Sequence, residues 1–138
     1  MIEVTFQEKP IDIADIFNRA GTDADGAVVT FTGRARNNTR GRNVEHLEYE
    51  LYSDMARKEL EKICENAAGR WSLNTCIVAH RYGKVEIGEI TIVIVVSSPH
   101  RDESYQASRF IIDTIKQRVP IWKKEFYEDG SQWISDTI

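Results

Sequence analysis

Cysteine is scarce in this chain. Only Cys64 and Cys76 occur; they lack a CxxC spacing and each falls within an apolar pattern, which argues against a structural zinc site or a disulfide framework and fits a reducing cytoplasm. Long hydrophobic runs are missing as well. No stretch reaches the ~18 apolar residues that a spanning helix needs, and Met1-Ile2-Glu3-Val4 does not open a basic segment followed by an apolar core, so neither membrane insertion nor secretion is expected. Positive charge is not in excess. A net charge of −4 argues against non-specific binding to nucleic acid or to an anionic membrane, so any anion site must be local. The sequence also lacks GxxxxGKS/T, GxGxxG and GxSxG, removing the signals for a phosphate loop, a dinucleotide fold or a hydrolase elbow. Repeats, linkers and low-complexity tracts are absent too.

What remains reads as an ordinary soluble domain, with 41% hydrophobic and 29% charged residues. Residues 1–138 are long enough for one domain that buries roughly two thirds of its unfolded surface. Alternation predicts strands over residues 2–6, 27–36, 44–52 and 73–82. Residues 89–98 are apolar on both faces and belong in the middle of a sheet. Helical spacing is found over residues 10–20, closed by Gly21, and again from Ala56 to Gly69 with Ser53 as N-cap. Residues 37–43 are polar with no apolar period and read as a mobile loop. Residues 83–88 carry hairpin punctuation. Asp102 is the expected N-cap of a helix whose apolar run covers residues 105–115, and residues 122–127 and 132–134 flank the hairpin turn Glu128-Asp129-Gly130. Short hairpin links between interspersed strands and helices predict an α+β fold with a mainly antiparallel sheet.

The last helix must stop at Pro120, which lacks an N–H and biases Val119 toward an extended backbone. Lys116 then lies in a final helical turn and Lys123 on the extended segment beyond, with Trp122 as an apolar anchor between them. Two ammonium groups on either side of a rigid corner can converge on one anion. Taken singly, they are ordinary: Lys116 complements the helix dipole and pairs with Asp113 at i−3, and Lys123 and Lys124 are solvated. Other cations fall at element ends, namely Arg34 and Arg36 side by side on one strand face, and His100 with Arg101 between a buried strand and a helix N-terminus. His46 and His80 sit in alternating strands without partners at metal-ligand spacing and read as structural.

These residues also carry a resemblance. Phe31-Thr32-Gly33-Arg34-Ala35-Arg36, Leu47-Glu48-Tyr49-Glu50, His80-Arg81-Tyr82-Gly83, Ser98-Pro99-His100-Arg101, and Lys116 with Val119-Pro120-Ile121-Trp122-Lys123-Lys124-Glu125 and Asp129-Gly130-Ser131-Gln132-Trp133, taken in order, resemble the large, catalytic subunit of molybdopterin synthase. The resemblance implies an α/β hammerhead-type fold, a homodimer, and a small ubiquitin-like sulfur-carrier subunit docked on each copy to make a heterotetramer. It implies a sulfurtransferase of molybdenum cofactor biosynthesis. Two sulfurs would pass from the carrier's C-terminal thiocarboxylate into cyclic pyranopterin monophosphate to give the dithiolene of molybdopterin.

By matched position, Lys116 and Lys123 would be the catalytic lysines, with Lys116 nearer the thiocarboxylate and Lys123 assisting the pterin chemistry. Arg36, His100 and Arg101 would bind phosphate and pterin, with contributions from both protomers, and Phe31 would line the pocket. No metal or organic cofactor is implied, and no cysteine, since sulfur arrives on the partner. The charge balance agrees: two anions brought ~4 Å apart at an effective dielectric of ~20 repel by about 4 kcal/mol, which fixed cations must offset. The competing reading is a non-catalytic nucleotide- or RNA-binding module using Arg34, Arg36, Arg40 and Arg42, which predicts salt-sensitive binding without a carrier protein.

Overall fold

A strand apolar on both faces has to be covered on both, and Ile90–Ser98 is buried along nearly its whole length. The structure, a computed structural model, describes residues 1–135. Its elements in chain order are β1 (Ile2–Gln7), α1 (Ile13–Arg19), β2 (Ala27–Arg34), β3 (Asn38–Thr39), β4 (Arg42–Leu51), α2 (Ser53–Trp71), β5 (Thr75–Arg81), β6 (Gly83–Glu86), β7 (Ile90–Ser98), α3 (Arg101–Arg118), β8 (Ile121–Tyr127) and β9 (Gln132–Ser135). The first sheet runs β1-β5-β7-β2, with β1 parallel to β5 and the other neighbours antiparallel. Its two faces have different partners. Ile77, Ala79, Val93 and Val95 pack with Ile11 and Ile16 beneath α1. Cys76, Val78, Ile92, Ile94 and Val96 join Leu60, Ile63, Ile111 and Ile115 of α2 and α3 in the main core.

The second sheet runs β3-β4-β8-β9, with β6 also pairing β4, and every pair in it is antiparallel. Helix α3 ends where Pro120 requires. Val119 is its C-cap at φ −83° and ψ 127°, and its N–H still reaches the Ile115 carbonyl. Buried Val119 and Ile121 clamp the corner from either side, while Trp122 lies edge-on to Tyr52 at 5.0 Å. The direction of the chain between Lys116 and Lys123 is therefore fixed by packing. Cys64 and Cys76 are free and buried, and contact with Cys76, together with burial, pushes the Cys64 thiol up. Among the described residues, no helix is long and apolar enough to cross a membrane.

Several local expectations are corrected. Residues 37–43 close into a hairpin, with Asn38 opposite Asn43 and Thr39 opposite Arg42; Arg40 and Gly41, both at positive φ, supply the turn that this pairing favours. Residues 83–88 hold a strand, β6, which pairs with β4. Helix α2 begins at Ser53 itself, with Tyr52 as N-cap and no side-chain cap. Likewise α3 begins at Arg101 with His100 as N-cap. Asp102 lies in its first turn, where its carboxylate accepts from the Gln106 amide at 2.7 Å instead of capping.

The turn before α3 leaves no room beside it. The Ser98 hydroxyl donates to the His100 carbonyl at 2.6 Å and meets the Ser104 hydroxyl at 2.5 Å, and a Cβ at Gly26 would sit 2.4 Å from the Pro99 oxygen. Gly26→Ala must therefore displace this turn. The expected loss is about 1–3 kcal/mol, read as a lower urea midpoint at unchanged slope.

Candidate functional site

A cavity of about 300 Å³ opens where the two sheets and α3 meet. Strand parity explains its walls. Lys123 pairs with Tyr49 and Glu125 with Leu47, so these four side chains share the face of the second sheet that borders the cavity. From α3, Ile112 and Lys116 present the same face, four residues apart. The first sheet contributes Phe31, Gly33, His80 and Ile92. At the end of β2 the register slips by one residue, Gly33 opposite Ile92 and Arg34 opposite Ile90, which leaves Thr91 of β7 as the extra residue; Arg34, Thr91 and, just beyond β2, Arg36 also border the cavity.

Thus Phe31 and Arg36, and Lys116 and Lys123 from a stretch about 80 residues later, meet at one cavity. His100 and Arg101 do not. They sit at the opposite end of α3, and the 15 residues from Arg101 to Lys116 correspond to about 22 Å of helix at 1.5 Å per residue. One copy of the chain cannot bring all six residues onto one small ligand.

Electrostatically the cavity is lopsided, since its only acidic wall residue among the described residues is Glu125. Its buried carboxylate accepts the Thr39 hydroxyl at 2.5 Å and lies 3.9 Å from the Lys123 ammonium. Arg34 is partly engaged, donating to the Gly88 carbonyl at 3.2 and 3.1 Å. The expected pairing of Lys116 with Asp113 does not form, because Asp113 faces Arg109 at 3.6 Å. Arg36 and Lys116 have no hydrogen-bond or ion-pair partner among the described residues. Unpaired cations bordering a cavity attract anions.

Arg42 is committed to structure. It pairs with Asp129 at 2.9 Å, bonds to Ser131, and lies 3.9 Å over the Tyr127 ring. Of the four arginines in the nucleic-acid reading, Arg34 and Arg42 are thus engaged within the chain. His46 stacks on Phe126 at 4.3 Å.

Five further cavity residues, Glu125, Thr39, His80, Tyr49 and Thr91, lie outside the set that the sequence marks as a site. Glu125 is detectable in principle, since it follows Lys123 by two positions on a strand and must share its face. Thr39 is not, because it comes to Glu125 only through the hairpin. Burial pushes the Tyr49 phenol up to about 12 against the Thr91 hydrogen bond, so it is a neutral donor. Burial lowers the His80 pKa to about 4.

Because the folded His80 value lies below the ordinary 6.5, the unfolded chain takes up a proton first as pH falls. The stabilisation from keeping this ring neutral is full above about pH 6.5 and is lost progressively down to about pH 4. This residue should make the chain about 2 kcal/mol less stable at pH 5 than at pH 8. Urea unfolding at both values, with His80→Asn as the comparison, checks it: the pH-dependent difference between the two proteins should be of that size.

The family model described as MoaE protein matches residues 6–118. The chain is 42% identical over 131 residues to the molybdopterin synthase catalytic subunit of Halalkalibacterium halodurans, covering 95% of this chain and 84% of that one. It is 45% identical over 136 residues to the protein of the same description from Dictyostelium discoideum, covering 96% and 86%. Its fold superposes on the crystal structure of molybdopterin synthase from Staphylococcus aureus with a TM-score of 0.87 at 38% identity, covering 96% and 95% of the two chains.

Proposed function

The chain belongs to the MoaE family of molybdopterin synthase catalytic subunits, enzymes of molybdenum cofactor biosynthesis, and from that premise we propose that its cavity joins cyclic pyranopterin monophosphate to a thiocarboxylate carried by a small ubiquitin-like subunit. One observation carries the reading: Arg36, Lys116 and Lys123, supplied by three separate parts of the chain, border one cavity where, among the described residues, only Glu125 opposes them. Both reactants are anions. Two unpaired cations and a third held against a single carboxylate are what their encounter needs.

In this reading Lys116, in the last turn of α3, lies nearest the incoming thiocarboxylate and offsets its charge as sulfur bonds to the pterin side chain. Lys123 assists the pterin chemistry, with Glu125 and Thr39 fixing its ammonium. Arg36 holds the phosphate, and Phe31, 36% exposed, closes one side. His100 and Arg101 contribute from a second copy of the chain, which accounts for their distance from this cavity. Two catalytic copies and two carriers form the heterotetramer, working in the cytoplasm, and two sulfurs delivered in turn complete the dithiolene. The test mixes the purified chain with thiocarboxylated carrier and cyclic pyranopterin monophosphate and assays the dithiolene product. Product is expected only when all three are present; none in the complete mixture overturns the reading.

A further inference from the structure

The cations border the cavity, but part of its wall is neutral, and the His80 ring lies in that part. Its strand register explains its place. His80 follows Cys76 and Val78 on the face of β5 turned to the main core, opposite Ile92. The ring is fixed on several sides: Tyr49 meets it edge-on at 5.1 Å, Phe6 lies 6.5 Å away, and Nδ1 is 2.6 Å from the Arg81 carbonyl oxygen. A carbonyl only accepts, so Nδ1 carries the proton and donates. In the neutral ring Nε2 is then a bare lone pair. It has no hydrogen-bond partner among the described residues, while the ring borders the cavity beside Tyr49 and Thr91. A bare lone pair on a ring that borders a cavity can accept a hydrogen bond from a group that enters it.

We propose that His80 Nε2 accepts a hydrogen bond from an N–H or O–H group of the substrate's uncharged heterocycle, so that this wall reads the ring while the cations hold the anionic end. The inference rests on the substrate class proposed above and assigns a binding residue to it. A locked tautomer suits this role, because the neutral ring cannot offer a donor at Nε2 without giving up the Arg81 bond. A ligand that presents an acceptor there is rejected.

The test uses the full chain and cyclic pyranopterin monophosphate itself. In a ¹⁵N-histidine-labelled sample, the His80 Nε2 resonance should shift on addition of the compound while Nδ1 stays protonated. By calorimetry His80→Asn, whose amide can still donate to the Arg81 carbonyl, should bind roughly tenfold more weakly, the usual scale for one neutral hydrogen bond. His80→Gln, which returns an acceptor near the Nε2 position, should recover part of that. No binding by the wild-type chain would sink the substrate reading and this inference together. Wild-type binding with an unmoved Nε2 resonance, or with equal affinity in a folded His80→Asn chain, would overturn the His80 assignment alone. Should His80→Asn fail to fold, the resonance in the wild-type protein still decides.

Discussion

Lys116→Ala is expected to lower dithiolene formation by about 10²–10³-fold, the scale for removing one pre-set charge stabiliser from a reacting centre, while leaving the fold intact. The second half of that statement follows from the structure. Lys116 is exposed on the last turn of α3 and has no partner among the described residues, and its neighbour Ile115 carries the packing there. Truncation therefore removes charge from the cavity and little else. Lys123→Ala should match it in activity but not in stability. The Lys123 side chain is 22% exposed and lies 3.9 Å from the nearly buried Glu125 carboxylate, so its loss leaves that carboxylate with only the Thr39 hydroxyl. A further cost of about 1–3 kcal/mol is expected. Product assays beside urea unfolding separate the two variants, and full activity in both would refute the assigned roles.

The second large effect is a recovery. Lys116→Ala and Arg101→Ala should each be nearly inactive alone, yet a co-expressed mixture should regain about a quarter of wild-type activity. Helix geometry sets this expectation, since about 22 Å of α3 separates Arg101 from Lys116. If Arg101 serves the cavity of the other copy, a mixed dimer has one intact cavity and one doubly defective cavity. Random pairing makes about half the dimers mixed, each with one of two cavities intact, which gives the quarter. A mixture no better than its components would place both residues in the same copy's site or remove Arg101 from the site.

Much of this architecture was legible from residue order alone. The stop at Pro120 and the two-faced burial of Ile90–Ser98 follow from a missing N–H and from a period of two, both local properties. The two lysines were legible for the same reason, since a helix end followed by a strand leaves little freedom in between. What could not be read depends on contacts distant in sequence. The hairpin at Asn38–Thr39 needs β4 beside it, the Arg34 side chain turns to the Gly88 carbonyl 54 residues away, and Asp113 takes Arg109 rather than Lys116. The family resemblance grouped His100 and Arg101 with the lysines by matched position, with contributions from both protomers. Within one copy, the length of α3 keeps them apart.

His80 shows the same limit from the other side. Alternation placed it on a strand, where it reads as structural, but strand position alone does not tell whether both ring nitrogens are satisfied. That required the Arg81 carbonyl to occupy one nitrogen and the cavity to border the ring.

The most direct test is a crystal structure of the chain soaked with cyclic pyranopterin monophosphate. The phosphate should lie within hydrogen-bonding distance, about 3 Å, of the Arg36 guanidinium, with the Lys116 and Lys123 ammonium groups bordering the bound compound and His100 and Arg101 of a second copy closing the site. A phosphate bound elsewhere, with this cavity holding only solvent, would contradict the account.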